Sequence, residues 1–493
     1  MKITAQDSST QKIEEEGVVI EGNAFYNPAQ KFNRSLTIKI INHFMKVRSK
    51  DGIVLLECMS ATGLRGIRYI RELAGHNTIV MNDISKDACS AIVKNCSKNG
   101  ISAEIDRITE TEKVSVEVKN EDCRSLMLSR KKAFDVIDID PFGTCAPFIE
   151  TAIEGLADNG LLCVTSTDTK VLCDKPPEAC YKYYGSVSMN NSYSHEIAIR
   201  IVLSYISRIA AKSGKRIKPL VSLSMDFFIR VFVQVIHDKQ ESTPSLLCNK
   251  QYLLCSCLNR QEIAVLRKEN GKNVYRHTKM PDTTECALCG RTYGLYGPFW
   301  SGPMHCPVFL EGVIQGIDKA YIESKTGGDK MTAHTTEQIN RRIHGMLTMA
   351  KEEMDSVFYY SVPYVSSVLS FPVPPMPALI SFLEGNGIKS SLTHCKPNSI
   401  KMKGRVEYIY IAVILYYRNI KPEIYSIYNE RLIGARKDVD KNTHNLMVYL
   451  DRYIEENTIV SDFTVTAAAA EMTARKHLKF QDKSGLGWGP MKR

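Results

Sequence analysis

Four acidic residues stand where apolar runs stop: Glu57 after "IVLL", Asp83 after "TIVMN", Asp122 after "VSVEVKNE" and Asp140 after "FDVIDI". Each run has the length and branching of a buried strand. A carboxylate at the carboxyl end of a strand accepts hydrogen bonds from whatever lies over the sheet. Asp83 follows Glu57 by 26 residues, a position from which an acid can bind ribose hydroxyls. Asp122 can accept from an adenine amino group. The first turn, "ECMSATGLRG", holds Gly63 and Gly66 but no G-x-G-x-x-G, which disfavours a dinucleotide with a pyrophosphate. A nucleoside without phosphates fits, and S-adenosylmethionine is such a nucleoside. Singly, each acid reads equally well as a helix cap. Four of them in register do not.

Asp140 opens "DPFG". Pro141 locks φ and has no N–H to donate. Asp140 and the backbone carbonyl beside it are therefore acceptors, which is what an exocyclic amine needs. Hydrogen bonds from the amine expose its lone pair and stabilise the positive charge that grows as a methyl arrives. Phe142 offers a face on which an extruded base can stack. Asp138, two residues earlier on the same strand, reads as a buried, hydrogen-bonded structural acid.

Elements to hold these acids are legible. Strands are expected at 53–58, 78–83, 114–123 and 133–142, with helices after the first two. A helix and a fifth strand follow in 147–168, and a β-rich segment at 219–236 completes the sheet. Residues 194–214 carry apolar positions at 197, 198, 201, 202, 205, 206, 209 and 210, a helical stripe. Strands alternating with helices predict a mostly parallel sheet. A polar stretch at 237–245 marks a boundary.

The composition excludes some classes. Of 493 residues, 44% are hydrophobic and 24% charged, ordinary for a globular protein. No apolar run approaches the ~20 residues of a membrane span. The N-terminus reads as neither a secretory signal nor a transit peptide. Fifteen scattered cysteines suit a reducing compartment better than a disulfide framework. The net charge is +10, and from Lys389 to Lys437 ten Lys/Arg stand against three Glu. A basic surface of this kind suits a polyanion, although a solvated face is the plainer reading.

The segments "LECMSATGLRGIRY", "VMNDIS" and "DPFG" together resemble the tRNA guanine-26 N2-dimethyltransferase family. So do "GNAFYNPAQKFNRSLTI", "CYKYYGS", "YSHEIAIRIVLSYISRIA", "GPFWSGPMH", "FYYSVPYVSSVL" and "SLTHCKPNSIK". The similarity runs over about residues 20–405. It implies a Rossmann-like class I methyltransferase domain, a mixed, mostly parallel α/β fold, with an α+β RNA-binding domain that is winged-helix-like in part. The implied reaction is methyl transfer from S-adenosylmethionine to N2 of guanine 26 in tRNA. Residue by residue, Arg34 and Arg65 would contact the cofactor, Asp83 its ribose, and Asp122 with Cys123 its adenine. Asp140, Pro141 and Phe142 would hold the amine, and Phe25 would lie near the base. The sequence departs from the family at Asp226-Phe227-Phe228, where a His-Tyr pair is common, and at Cys306, where an acid is common.

Expected domains are a flexible N-terminus (1–20), the methyltransferase domain (21–240), a tRNA-binding domain (241–480) with a cysteine segment at 248–290, and a tail (481–493). In that segment Cys255 and Cys257, a C-x-C, face Cys286 and Cys289, a C-x2-C. Four thiolates suit structural zinc, but the usual pairs are both C-x2-C. Unliganded buried cysteines are the alternative, and Cys248 is a possible substitute ligand. Ser391, Thr393, His394, Lys401 and Lys403 are candidate RNA contacts. A monomer acting on tRNA in the nucleus or cytoplasm is expected, with the mitochondrion left open. Two rival functions remain: an amino-methyltransferase for DNA adenine or cytosine, and a catalytically silent RNA-binding or chaperone protein.

Overall fold

Alternate residues of each central strand enter opposite cores. Leu55, Ile79, Val136 and Leu161 belong to one apolar cluster, and their neighbours Leu56, Val80, Ile137 and Leu162 to the other. That is the two-residue period of a sheet covered on both faces. The structure is a computed structural model that describes residues 11–22, 26–111, 113–174, 176–269, 274–278, 284–324, 330–427 and 441–474.

The chain begins with a hairpin of β1 (Gln11–Glu15) and β2 (Val18–Gly22) and the helix α1 (Gln30–Val47). Then β3 (Val54–Glu57), α2 (Leu64–Glu72), β4 (Asn77–Asn82), α3 (Lys86–Lys98), β5 (Ile108–Glu110), β6 (Val114–Lys119) and α4 (Cys123–Ser129) follow. The domain continues with β7 (Phe134–Ile139), α5 (Ala146–Gly155), β8 (Leu156–Ser166), α6 (Thr169–Cys173), α7 (Pro177–Tyr184) and α8 (Ser194–Lys212), and ends on β9 (Lys215–Met225) and β10 (Phe228–His237). The eight-stranded sheet has the order β5-β6-β4-β3-β7-β8-β10-β9. The run β6-β4-β3-β7-β8 is parallel. Strand order reverses between β3 and β7, and ligands bind at such a switch point.

The hairpin is anchored, so the boundary expected at residue 20 falls inside an ordered element. Glu15 is buried between two guanidiniums, accepting from Arg34 Nε at 2.7 Å and Arg68 Nη1 at 2.7 Å. Burial alone would raise its pKa, but Arg34 and Arg68 bring it down to about 2.

Beyond α9 (Lys239–Ser245), a three-stranded sheet of β11 (Asn249–Leu254), β12 (Arg260–Ala264) and a later strand, Gly294–Trp300, packs on α8. Arg200 of α8 is buried and donates to the carbonyls of Trp300 (2.7 Å) and Gly302 (3.2 Å). Helices α10 (Pro307–Ser324) and α11 (Lys330–Glu352) return to cover α1. Arg342 of α11 pairs with Asp226 at 2.8 Å, so the acid that departs from the family pattern serves packing. A second unit holds α12 (Val362–Val368), α13 (Met376–Gly385) and α14 (Glu407–Ile420) around a small sheet of Tyr360–Ser361, Ser390–Leu392 and Ser399–Met402. Two helices followed by a strand pair is the winged-helix-like order expected. One continuous apolar cluster runs from the eight-stranded sheet into this unit. Among the described residues no helix is long and apolar enough to cross a membrane.

Candidate active site

The turns after β3, β4 and β6 are knitted together by side-chain amides. Asn82 Nδ2 donates to the carbonyls of Cys58 (3.1 Å) and Glu121 (3.0 Å). Asn120 Nδ2 donates to those of Asp83 (3.0 Å) and Ile84 (3.1 Å). Asp83 accepts from Ala61 N and Ser85 N, each at 2.9 Å. Half-buried at the rim, it keeps lone pairs for a ligand. Gly63 takes φ +78° to start α2, and a Cβ there would press on Ile92 at 3.2 Å. Ile84 is 74% exposed beside Asp83, an apolar face next to an acid. Sequence reasoning missed it because a lone isoleucine in a turn carries no signal.

Glu57 is buried. Burial pushes its pKa up to about 8, against the pull of Arg65, whose Nε lies 3.9 Å away. Its Oε2 has no hydrogen-bond partner among the described residues. Asp122 caps α4 by accepting from Arg124 N at 2.9 Å and also pairs with the Arg124 guanidinium. Cys123, next to it, is buried.

Asp138 and Asp140 share one guanidinium. Arg65 donates through Nη1 to Asp138 Oδ2 at 3.1 Å and through Nη2 to Asp140 Oδ2. Asp138 is also held by Tyr69 OH at 2.5 Å and by Arg230 Nη1 at 2.8 Å. Burial would raise Asp138, but Arg230 and Arg65 keep it below the usual carboxylate range. It is thus a structural anchor, as its place in the strand suggested. Asp140 differs, with 23% of its side chain exposed at the mouth. Pro141 is buried behind it, and Phe142 stands 71% exposed.

Several expected contacts lie elsewhere. The Arg34 guanidinium is paired with Glu15, and the residue is only 7% exposed. Phe25 lies outside the described residues. Ser391, Thr393, His394 and Lys401 are interior and cannot meet a phosphate. Lys401 Nζ sits 3.0 Å from Glu353 and 3.2 Å from Glu196. Thr393 donates to Glu353 at 3.1 Å, His394 Nδ1 lies 2.6 Å from Glu353, and Ser391 Oγ accepts from Met354 N at 2.8 Å. With His305, His394 and Glu353 form a metal-like trio, but the Lys401 ammonium already supplies the cation. Lys403 alone of the five is exposed, as are Lys389, Arg418 and Lys421.

The four expected cysteines converge. The sulfurs of Cys255, Cys257, Cys286 and Cys289 all lie within 4.8 Å of one another. Cys255–Cys289 is 3.4 Å and Cys257–Cys286 3.5 Å. Tetrahedral zinc with ~2.3 Å bonds sets sulfurs about 3.8 Å apart, so the cage fits. Cys248, half-buried in a short turn, is not one of the four.

Residues 3–413 match the model of the family described as N2,N2-dimethylguanosine tRNA methyltransferase. The chain belongs to that family. A member from Saccharomyces cerevisiae, named a mitochondrial tRNA (guanine(26)-N(2))-dimethyltransferase, is 31% identical over 81% of this chain and 79% of its own. One from Caenorhabditis elegans of the same enzyme name is 28% identical over 99% of this chain and 94% of its own. A solved complex of Trm1 from Pyrococcus horikoshii with S-adenosyl-L-methionine superposes with a TM-score of 0.65. It is 23% identical and covers 81% of this chain and 98% of that one, which establishes the shared fold.

Proposed function

We propose that this chain transfers methyl groups from S-adenosylmethionine to the exocyclic N2 of guanine 26 in tRNA, giving the mono- and the dimethylated base. The observation that carries the reading is the mouth of β7. An acid with one oxygen on Arg65 and the other without a hydrogen-bond partner among the described residues stands there beside an exposed ring, at the switch point of the sheet.

Bound S-adenosylmethionine supplies an electrophilic methyl. Asp83 suits its ribose hydroxyls, the Ile84 side chain its adenine face, and Asp122 with Cys123 its adenine edge. Asp140 accepts from one N2–H and turns the nitrogen lone pair toward the methyl. Phe142 stacks on the extruded base, offsetting the few kcal/mol that extrusion costs. After transfer Asp140 or water takes the proton that N2 sheds. Arg65 pairs with Asp140 and aims it, and most of the acceleration is alignment.

Residues 241–480 serve as the tRNA-gripping domain in this reading, with Lys389, Lys403, Arg418 and Lys421 as phosphate contacts. In this reading the chain acts as a monomer. Compartments holding tRNA are the nucleus, the cytoplasm and the mitochondrion; the first two are our assignment.

Zinc held by Cys255, Cys257, Cys286 and Cys289 would clamp the β11–β12 turn to the 286–289 knuckle. Elemental analysis should find one zinc per chain, and none in Cys286→Ser. A metal-free protein with unchanged melting would remove zinc from the account.

The function is tested by incubating the protein with labelled cofactor and either a tRNA transcript or duplex DNA, then digesting to nucleosides for mass spectrometry. Mono- and dimethylguanosine at position 26 are expected. Label in DNA alone would favour the DNA amino-methyltransferase, and calorimetry without cofactor binding would favour a silent RNA-binding protein.

A further inference from the structure

A pocket that methylates guanine must tell it from the other bases. Guanine presents N1–H and N2–H side by side as donors on its Watson–Crick edge. Asp140 answers one of them. A second acceptor is needed beside it, and β8 is the neighbouring parallel strand on the far side of β7 from β3.

We infer that Asp168 is the residue that reads guanine: its carboxylate accepts from N1–H while Asp140 accepts from N2–H. The inference rests on the function proposed above. Three observations carry it. The first is position. Gly143 N donates to Thr167 Oγ1 at 2.7 Å, and Thr167 N donates back to the Gly143 carbonyl at 3.0 Å. These bonds tie the "DPFG" turn to the loop after β8, and Asp168 is the next residue.

The second is that Asp168 is not spent on its helix. It precedes α6 at the capping position, yet its side chain makes no capping bond. Its carboxylate is instead held by two hydroxyls: Ser166 Oγ donates to Oδ1 at 2.5 Å and Tyr184 OH to Oδ2 at 2.9 Å. Tyr184 is wholly buried and accepts from Thr144 Oγ1 at 2.8 Å, which leaves its own proton for Asp168. Burial raises the phenol well above its ordinary value, so it remains a donor.

The third is charge. Among the described residues no salt-bridge partner lies on Asp168, although Asp138 and Asp140 next door both have one. An ionised carboxylate has about four acceptor positions, and two hydroxyls leave the rest unspent. The residue is half-exposed, so that remainder faces outward. A carboxylate oriented by buried donors, without a salt-bridge partner among the described residues and next to the residue that is hydrogen-bonded to the "DPFG" turn, suits a neutral donor of a bound base.

The test uses two tRNAs, carrying guanine or 2-aminopurine at position 26. 2-Aminopurine keeps the amine at C2 but has a bare lone pair at N1. The wild-type protein should prefer guanine. In Asp168→Asn the amide oxygen can keep both hydroxyl donors while the NH2 turns a donor toward N1. Guanine kcat/KM should fall about 10–100-fold, the cost of an unpaired buried group, with the 2-aminopurine value held or raised. The preference for guanine then shrinks at least about tenfold. Equal losses on both tRNAs, with the ratio unchanged, would make Asp168 a mere anchor for Tyr184 and overturn the inference. If Asp168→Asn shows no melting transition, Asp168→Ala is read the same way, with the ratio moving toward one. A wild-type protein that leaves guanine 26 unmodified would instead condemn the function itself.

Discussion

Asp140→Asn is expected to lower single-turnover methyl transfer about 10³-fold while tRNA affinity changes less than about threefold. The two readouts separate because they draw on different parts of the molecule. Affinity comes from phosphate contacts spread over a basic surface, and Asp140 touches none of them. The chemical step needs an acceptor for N2–H and a negative charge beside the nitrogen as it becomes positive. Asparagine removes the charge and can turn a donor toward a donor. It also releases one Arg65 nitrogen, since that guanidinium spans Asp138 and Asp140. Filter binding and rapid-quench kinetics on the same preparation give both numbers. Parallel losses in both would mean that Asp140 only holds the turn together.

Asp138→Asn should act on stability, lowering it by about 3–5 kcal/mol at neutral pH. Asp138 is buried between Arg65 and Arg230, with Tyr69 donating to it. Removing its charge leaves the buried Arg230 without a carboxylate partner and Arg65 with Asp140 as its remaining close one, and that is the costly way to break a buried pair. The pH dependence follows from the direction of its shift. Its folded pKa lies below the ordinary value of 3.8. The ionised form therefore contributes stability above that value and loses the contribution as pH falls through the folded pKa. The gap between wild type and Asp138→Asn, read by urea unfolding, should be full at pH 7 and narrow in acid below pH about 4. A pH-independent gap would show that the cost comes from packing and not from charge.

The strands were legible because both cores demand apolar residues at consecutive positions, and the acids stood out against those runs. The one strand of the sheet without an expectation, β5, is three half-exposed or exposed residues, too short and too polar for a pattern. The charged residues were read less well. Lys401 and Lys403 look alike in sequence, yet one is buried against Glu196 and Glu353 and the other is exposed. Those partners come from α8 and the segment after α11, so a count of local charge cannot see them. The pairing of Arg34 was hidden for the same reason, because its partner Glu15 arrives on a hairpin. Asp168 went unnoticed because its meaning depends on Tyr184, which α7 brings back to it. The convergence of the four cysteines was legible because two short-spaced pairs needed only one long-range contact.

The claim at the centre is that Asp140 cradles the amine of an extruded guanine beside the methyl donor. The most direct measurement is a crystal structure of the protein with S-adenosylhomocysteine and its tRNA. Guanine 26 should be flipped out onto Phe142, with N2 about 3 Å from an Asp140 oxygen. A base still stacked in the tRNA, or an Asp140 turned wholly onto Arg65 with N2 held by other groups, would contradict the account.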